Sequence, residues 1–162
     1  MKTLIIYDSA FGNTEKIAKA IGDAIGPKED VSVLRITSVG LDQLKSLDLL
    51  IVGSPTQGFR PTKAISGFLE TIPKDGLKNV RIAAFDTRID VADIKQGALR
   101  AMVKMGGYAA KHIEDALKKK GAVPVMPPEG FFVKDREGPL RDGELERAAT
   151  WAKQIAEMAK AK

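Results

Sequence analysis

Apolar residues along the chain fall into short, nearly continuous runs of the kind found in parallel strands that are buried on both faces. Five strands are predicted; the second is predicted from alternating apolar and polar residues, and the fifth is interrupted by a pair of prolines, Pro127 and Pro128. The predicted strands are TLIIYD (3–8), VSVLRI (31–36), DLLIVGS (48–54), VRIAAFDT (80–87), and AVPVM (122–126) together with FFV (131–133).

Between these runs, apolar residues recur at the spacing of amphipathic helices. One helix is predicted over residues 14–25, a second from Pro61, and a third over YAAKHIEDALKKKG (108–121). The last is predicted to begin after an N-cap at Asp142 and to bury Leu145 among its apolar residues. A weaker stripe predicts one further helix, at Leu99, Met102 and Val103.

Strand patterns thus alternate with helix patterns, which is typical of an α/β protein with a parallel sheet and helices on both faces. The 162 residues suit one domain, and no linker or repeat divides them. Ligands of such sheets bind at the carboxyl ends of the strands, where the strand order reverses. The loops after the first, third and fourth strands are therefore the candidates for a site.

The amino-acid composition excludes or disfavours several functional classes. The chain has 26 Lys+Arg against 21 Asp+Glu, a net charge of +5. We interpret this excess first as a feature that keeps the protein soluble, and second as one that steers it toward an acidic partner. Nucleic-acid binding is disfavoured because no basic or aromatic motif accompanies the charge. No apolar run approaches the roughly 20 residues of a membrane span, and the N-terminal run is too short for a secretory signal. The absence of cysteine excludes disulfides and suits the cytoplasm.

The loop SAFGNT (9–14) joins the first strand to a helix. A helix N-terminus offers free N–H groups and the positive end of the helix dipole, which together attract an anion. Ser9 and Thr14 add hydroxyl donors, Asn13 adds an amide, and Gly12 lets the backbone approach closely. The loop therefore predicts a phosphate site, with an ordinary capped helix start as the alternative. It matches neither the GxxxxGK[ST] motif of nucleoside triphosphate sites nor the GxGxxG motif of dinucleotide sites.

Two further loops, GSPTQGFRP (53–61) and DTRID (86–90), follow the third and fourth strands. Their Gly, Pro and Thr content fits simple turn chemistry, but their expected position beside the first loop favours a shared pocket. No catalytic residue is assigned, since the single histidine, His112, lies in an amphipathic helix pattern. No metal site is assigned either, because no His, Asp or Glu residues have the spacing of metal ligands.

The spacing of SAFGNTEKIAKAI, GSPTQGF and FDTR resembles the flavodoxin family over essentially the whole chain. The ending FFV…GPLRDGELERA…WA also resembles the tails of small stand-alone flavodoxin-domain proteins. The resemblance implies a single flavodoxin-like domain over residues 1–162, a three-layer sandwich with a five-stranded parallel sheet of order 2-1-3-4-5. It also implies FMN as the cofactor.

The resemblance implies three groups of FMN-binding residues. The phosphate would be held by Ser9, Gly12, Asn13 and Thr14, the edge of the flavin ring by Pro55, Thr56, Gln57 and Gly58, and the pyrimidine side by Asp86, Thr87 and Arg88. Phe59 is the best stacking candidate, with Tyr108 and Phe131 behind it, although core or loop packing is the favoured interpretation of those two residues. Gly58 tolerates positive φ, so its peptide could flip its carbonyl toward flavin N5.

Three features depart from the family pattern. Phe11 stands where the phosphate loop usually has a further hydroxyl, and the loop after the fourth strand lacks a stacking aromatic. The chain is also basic, whereas many flavodoxins are acidic. Arg88 beside the pyrimidine would favour the anionic reduced flavin and make its couple less reducing. The alternative is a surface arginine paired with Asp86 or Asp90.

The resemblance implies an electron carrier between redox partner proteins, present as a monomer or a homodimer. The basic charge favours partners with an acidic docking face. Two alternatives stay open at this point. One is an FMN-dependent NAD(P)H:quinone-type reductase, in which residues 91–107 form a lid or a dimer contact. The other is a flavodoxin-like module that has lost FMN, which Phe11 and the missing aromatic favour.

Overall fold

The computed structural model describes residues 1–94, 96–98, 100–101 and 107–161. Within these residues, six parallel strands form one sheet of order β2-β1-β3-β4-β5, and β6 also pairs with β4. The predicted strand order is confirmed. The strands are β1 (Thr3–Tyr7), β2 (Val31–Arg35), β3 (Leu49–Pro55), β4 (Arg81–Ile89), β5 (Val123–Pro124) and β6 (Glu129–Val133).

The predicted fifth strand is present as two short strands that share one edge of β4. Strand β5 pairs with Arg81 and Ile82, and β6 pairs with Phe85–Ile89 further along. The break between them falls at Pro127 and Pro128, because a proline has no N–H to donate to a neighbouring strand. Strand β6 therefore brings its own carboxyl end beside the end of β4.

Helices cover both faces of the sheet, as predicted. One face packs on α1 (Asn13–Ile25) and α4 (Glu144–Lys160), and the other on α2 (Lys63–Thr71) and α3 (Ala109–Lys118). Successive strand residues alternate between these two cores, so that Ile5 faces α1 while Leu4 faces α2. None of the helices in the described part of the chain has the length and apolar character needed to cross a membrane.

Three aromatic rings fix the last helix against the sheet. Phe85, Phe131 and Trp151 meet edge to face, with ring centroids 5.8 to 6.2 Å apart. Phe85 and Phe131 are fully buried, and Trp151 nearly so. Phe131 therefore belongs to the core and not to a flavin-stacking surface.

The start of α4 differs from the prediction. Gly143, in the left-handed region with φ 85°, takes the N-cap position that was predicted for Asp142. The Asp142 side chain is exposed, and Leu145 is also exposed because it falls on the outer side of the helix. The predicted helical stripe at Leu99, Met102 and Val103 lies outside the described residues.

Candidate functional site

Three loops meet at the carboxyl edge of the sheet around a cavity of about 500 Å³. The register of the central strands causes this, because Tyr7 pairs with Gly53 and Gly53 pairs with Phe85. The chain therefore leaves β1, β3 and β4 at the same edge. The volume lies within the roughly 300–1,000 Å³ of small-molecule sites. The shared pocket expected for these loops is present.

The loop after β1 is held in shape by short-range hydrogen bonds. The Ser9 N–H donates to Asp8 (2.9 Å), and the Ser9 hydroxyl accepts from the Gly12 N–H (3.0 Å). Gly12 is the N-cap of α1 and has φ 88°, a conformation that glycine adopts without strain. Arg35, at the end of β2, donates to the Ser9 carbonyl and lies 3.6 Å from Asp8. These contacts direct the N-terminus of α1 toward the cavity.

A pair of buried hydroxyl groups lies beside this loop. Thr14, in the first turn of α1, and Thr87, near the end of β4, bring their Oγ1 atoms to within 2.7 Å. Both residues are buried, and both line the cavity. Because the hydroxyls bond each other, α1 is fixed to the sheet at the point where its N–H groups face the cavity.

The loop after β3 contributes Pro55, Thr56, Gln57 and Gly58 to the cavity lining. Gln57 and Arg60 exchange backbone hydrogen bonds of 2.8 and 3.0 Å around Gly58 and Phe59. Both residues of this tight turn have positive φ, 52° and 69°, as in a type I′ turn. Phe59 lies outside the cavity lining, although the sequence made it the best stacking candidate.

The loop after β4 places an arginine in the cavity wall. Arg88 donates from Nε and Nη2 to the two carboxylate oxygens of Asp86, at 2.6 and 2.7 Å. The Tyr108 ring stacks on the guanidinium, whose Cζ lies 3.6 Å from the ring centroid. Gly130 makes room for it, since a Cβ there would lie 2.2 Å from Arg88 Nε. Arg88 is therefore locked in place and is paired with Asp86, the first of the two partners considered.

Asp86 itself is fully buried and lies outside the cavity lining. Burial raises the pKa of its carboxyl, while Arg88 and the hydrogen bond from the Ala110 N–H (2.9 Å) oppose that increase. Asp86 was expected beside the pyrimidine, and among the residues that the structure describes its carboxylate bonds Arg88 and the Ala110 N–H of α3. It acts on the cavity through Arg88.

A fourth segment, formed by the end of β6 and the residues that follow it, was not predicted as part of the site. Val133 and Arg136 line the cavity, and the Glu137 carbonyl accepts a hydrogen bond from the Asn13 side chain (3.1 Å). Arg141 anchors the segment by pairing with Asp90 (3.0 Å) and with Asp93. The signal for it in the sequence was the tail FFV…GPLRDGELERA…WA, which suggested a relationship but no position in space.

Comparison with known proteins agrees with this geometry. The family model described as Flavodoxin matches residues 5–151. The chain belongs to the flavodoxin family. A flavodoxin of Maridesulfovibrio salexigens is 27% identical over 161 residues, which cover 96% of this chain and 97% of that protein. A flavodoxin of Clostridium beijerinckii is 38% identical over 55 residues, which cover 33% of this chain and 40% of that one.

Solved structures of flavodoxins have the same fold. A flavodoxin from the domain Archaea superposes with a TM-score of 0.72 and 26% identity, covering 99% of both chains. Oxidised Flavodoxin 1 from Bacillus cereus superposes with a TM-score of 0.73 over 97% of this chain and 98% of that one, at 21% identity. Flavodoxins bind FMN and transfer electrons to redox partner proteins, so the expected cofactor and role are confirmed.

The residues around the cavity of this flavodoxin fit both the phosphate group and the ring of FMN. The phosphate requires hydrogen-bond donors and positive potential, which the first turn of α1 and the Ser9 hydroxyl offer. The ring requires apolar contact surface, which Pro55, Ile89 and Val133 provide in the same cavity. Residues 91–107, considered as a lid or a dimer contact, include positions outside the described residues.

Proposed function

We propose that this flavodoxin binds FMN in the cavity at the carboxyl edge of the sheet and carries electrons between redox partner proteins. The observation that carries the proposal is the convergence of three strand-end loops on one cavity beside the N-terminus of α1. Bound FMN supplies the redox chemistry, because it accepts and releases one or two electrons. The protein supplies binding, orientation and the electrostatic surroundings.

The phosphate is held by the loop of Ser9, Gly12, Asn13 and Thr14, mainly through its backbone. The Asn13 amide already donates to the Glu137 carbonyl, and the Thr14 hydroxyl already bonds Thr87. Because these side chains are already engaged, the backbone N–H groups of Asn13 and Thr14, at the start of α1, are the donors for the phosphate. The Ser9 hydroxyl, which accepts from Gly12, keeps its own proton for the ligand.

The flavin ring lies along Pro55, Thr56, Gln57 and Gly58, with Thr87 and Arg88 on its pyrimidine side. Aliphatic lining groups such as Ile89 would supply the apolar surface for the ring, since Phe59 lies outside the lining and Tyr108 is stacked on Arg88. Gly58 has φ 52°, a conformation that glycine adopts without strain, so its peptide could change orientation at low cost beside the edge of a bound flavin. Each of these assignments follows from a lining side chain or from a backbone group beside the cavity.

Partner recognition follows from charge. The net charge of +5 favours partners that present an acidic docking face near the flavin. Phe11, at the rim of the cavity, is half exposed and offers an apolar contact at the point where the cofactor meets the surface. We expect electron transfer to slow as ionic strength rises, because salt screens this attraction.

A binding titration with two matched variants tests the proposal. Ala10→Glu places a negative charge on an exposed residue of the cavity wall and should weaken FMN binding about tenfold or more. Met158→Glu adds the same charge near the end of α4, which lies beside the end of α1 and away from the cavity. FMN affinity of Met158→Glu should equal that of the wild type. Equal affinity of the Ala10→Glu protein, or no binding by the wild type, would overturn the proposal.

A further inference from the structure

Arg136 lies on the segment that follows β6, at the end of the cavity nearest the N-terminus of α1. The next residue, Glu137, accepts the hydrogen bond from the Asn13 amide (3.1 Å). Gly138, with φ 104°, packs so closely that a Cβ there would lie 2.7 Å from the Asn13 amide atoms. The backbone of this segment therefore touches the first residue of α1. Arg136 lines the cavity together with Ser9 and Thr14.

Arg136 also differs from two other arginines near the cavity in having its donors available. Arg35 donates to the Ser9 carbonyl and pairs with Asp8, and Arg88 forms two hydrogen bonds with Asp86. The Arg136 guanidinium has no hydrogen-bond or ion-pair partner among the residues that the structure describes. A guanidinium carries five N–H donors in a planar fork that matches two oxygens of a phosphate group.

The backbone that carries Arg136 is fixed on both sides. Lys134 and Gly138 donate backbone hydrogen bonds to Pro139 (2.8 Å) and Asp135 (2.9 Å), which close the turn. Arg141 then ties the end of the segment to Asp90 (3.0 Å). Because the turn is formed in advance, ordering the Arg136 side chain over the cavity costs side-chain entropy alone.

We propose that Arg136 binds the phosphate group of the cofactor and makes this flavodoxin select FMN over riboflavin. This inference rests on the proposed function, because it assigns a ligand to the same cavity. Arg136 would also compensate for Phe11, which stands where the phosphate loop usually has a further hydroxyl. The cation and donors that this loop lacks come from the segment after β6, which is distant in sequence but contacts Asn13 at the start of α1.

Two flavins and two variants test the proposal. Arg136→Gln removes the charge from the cavity, and Lys134→Gln removes the same charge two residues earlier, from an exposed side chain outside the lining. FMN should bind Arg136→Gln at least about tenfold more weakly than wild type, as expected for loss of a charge-assisted hydrogen bond. Riboflavin affinity should not change in either variant, and FMN affinity of Lys134→Gln should stay within about twofold of wild type, as for an exposed and screened charge.

Equal losses of FMN and riboflavin affinity, or equal effects of the two variants on FMN, would overturn the inference. Inorganic phosphate, titrated into the protein and followed by the backbone amide NMR signals of residues 12–15, serves as a probe that needs no flavin. Phosphate should shift those signals in the wild type and bind Arg136→Gln more weakly. A wild type that binds phosphate but no flavin contradicts the proposed function alone. Phosphate binding that is equal in both proteins contradicts the role of Arg136 alone.

Discussion

Thr14 and Thr87 share a hydrogen bond of 2.7 Å between hydroxyl groups that are both buried at the base of the cofactor cavity. One lies in the first turn of α1 and the other on β4, so the bond fixes the start of α1 to the centre of the sheet. A buried hydroxyl without a partner costs free energy, whereas two apolar groups of the same shape in its place are nearly neutral.

Thr87→Val should therefore lower the free energy of unfolding by about 1–3 kcal/mol, because it leaves the Thr14 hydroxyl unpaired. Thr14→Val should cost a similar amount. The double variant should be no less stable than the weaker single one, since no unpaired hydroxyl is left. Urea unfolding of the four proteins without flavin measures this coupling. Additive losses in the double variant would show that the two hydroxyls do not stabilise each other.

The pair of Asp86 and Arg88 should set the potential of the bound flavin from the cavity wall. Arg88 alone would favour the reduced anionic flavin, but its charge is offset by Asp86 at 2.6 Å. Asp86→Asn removes that offset and should raise the reduction potential, on the order of 50 mV. Arg88→Gln should lower it. Potentiometric titration of the flavin spectrum in each holoprotein measures both shifts.

Opposite signs are the diagnostic result for this pair. A general loosening of the site would move both potentials in the same direction, and that outcome would contradict an electrostatic role. Because Asp86 is paired with Arg88, the less reducing flavin couple expected from the sequence depends on how far Asp86 offsets the charge of Arg88.

Stability should depend on pH through Glu144, which ties β6 to the start of α4. Its carboxylate accepts the Phe132 N–H (2.7 Å) and bonds Arg147 (2.7 Å). Burial acts to raise the pKa of Glu144, but Arg147 and the Phe132 N–H outweigh it and lower the pKa. The stability that these bonds give is therefore present above the ordinary glutamate pKa of about 4.3 and is lost as pH falls through the lower folded value.

Glu144→Gln should thus be less stable than the wild type at pH 7, and the difference should shrink as the pH is lowered toward 3. Thermal unfolding at several pH values measures the difference. Glu146→Gln, at an exposed glutamate in the same helical turn, is the control and should show no such trend. A difference between Glu144→Gln and wild type that is constant with pH would exclude the proposed ionic anchor.

Phe11 offers a gain-of-affinity test of the phosphate loop. Its ring is 50% exposed, so its replacement removes little buried surface. Phe11→Thr restores a hydroxyl and should strengthen FMN binding by about 0.5–1.5 kcal/mol while leaving riboflavin binding unchanged. Phe11→Ala, which adds no donor, separates this effect from removal of the ring. If threonine and alanine have the same effect on FMN affinity, a hydroxyl at this position does not reach the phosphate.

Much of the fold could be predicted from the sequence because its signals are local. Alternating strand and helix patterns placed the strands, and the glycine, hydroxyl and amide residues of the first loop indicated an anion site at a helix start. These features depend on neighbours within a few residues. The start of α4 was misplaced because Asp142 and Gly143 are both acceptable N-caps.

The remaining features depend on residues that are distant in sequence. Asn13 and Glu137 meet across 124 positions, and no local pattern at Arg136 marks it as part of the cavity. Phe59 has the aromatic ring expected of a stacking residue, but it lies in a tight turn with two positive φ values and outside the cavity lining. Asp86 was expected on the pyrimidine side of the flavin, and the packing of α3 over β4 buries it completely.

The most direct test of the account is the visible absorption spectrum of the purified protein during stepwise anaerobic reduction, with FMN added to saturation. The account predicts one tightly bound FMN per chain and reduction in two separable one-electron steps. Bound FMN that is reduced in a single two-electron step would contradict the carrier and favour a reductase. A chain that takes up no FMN would contradict the central claim that this cavity is a flavin site.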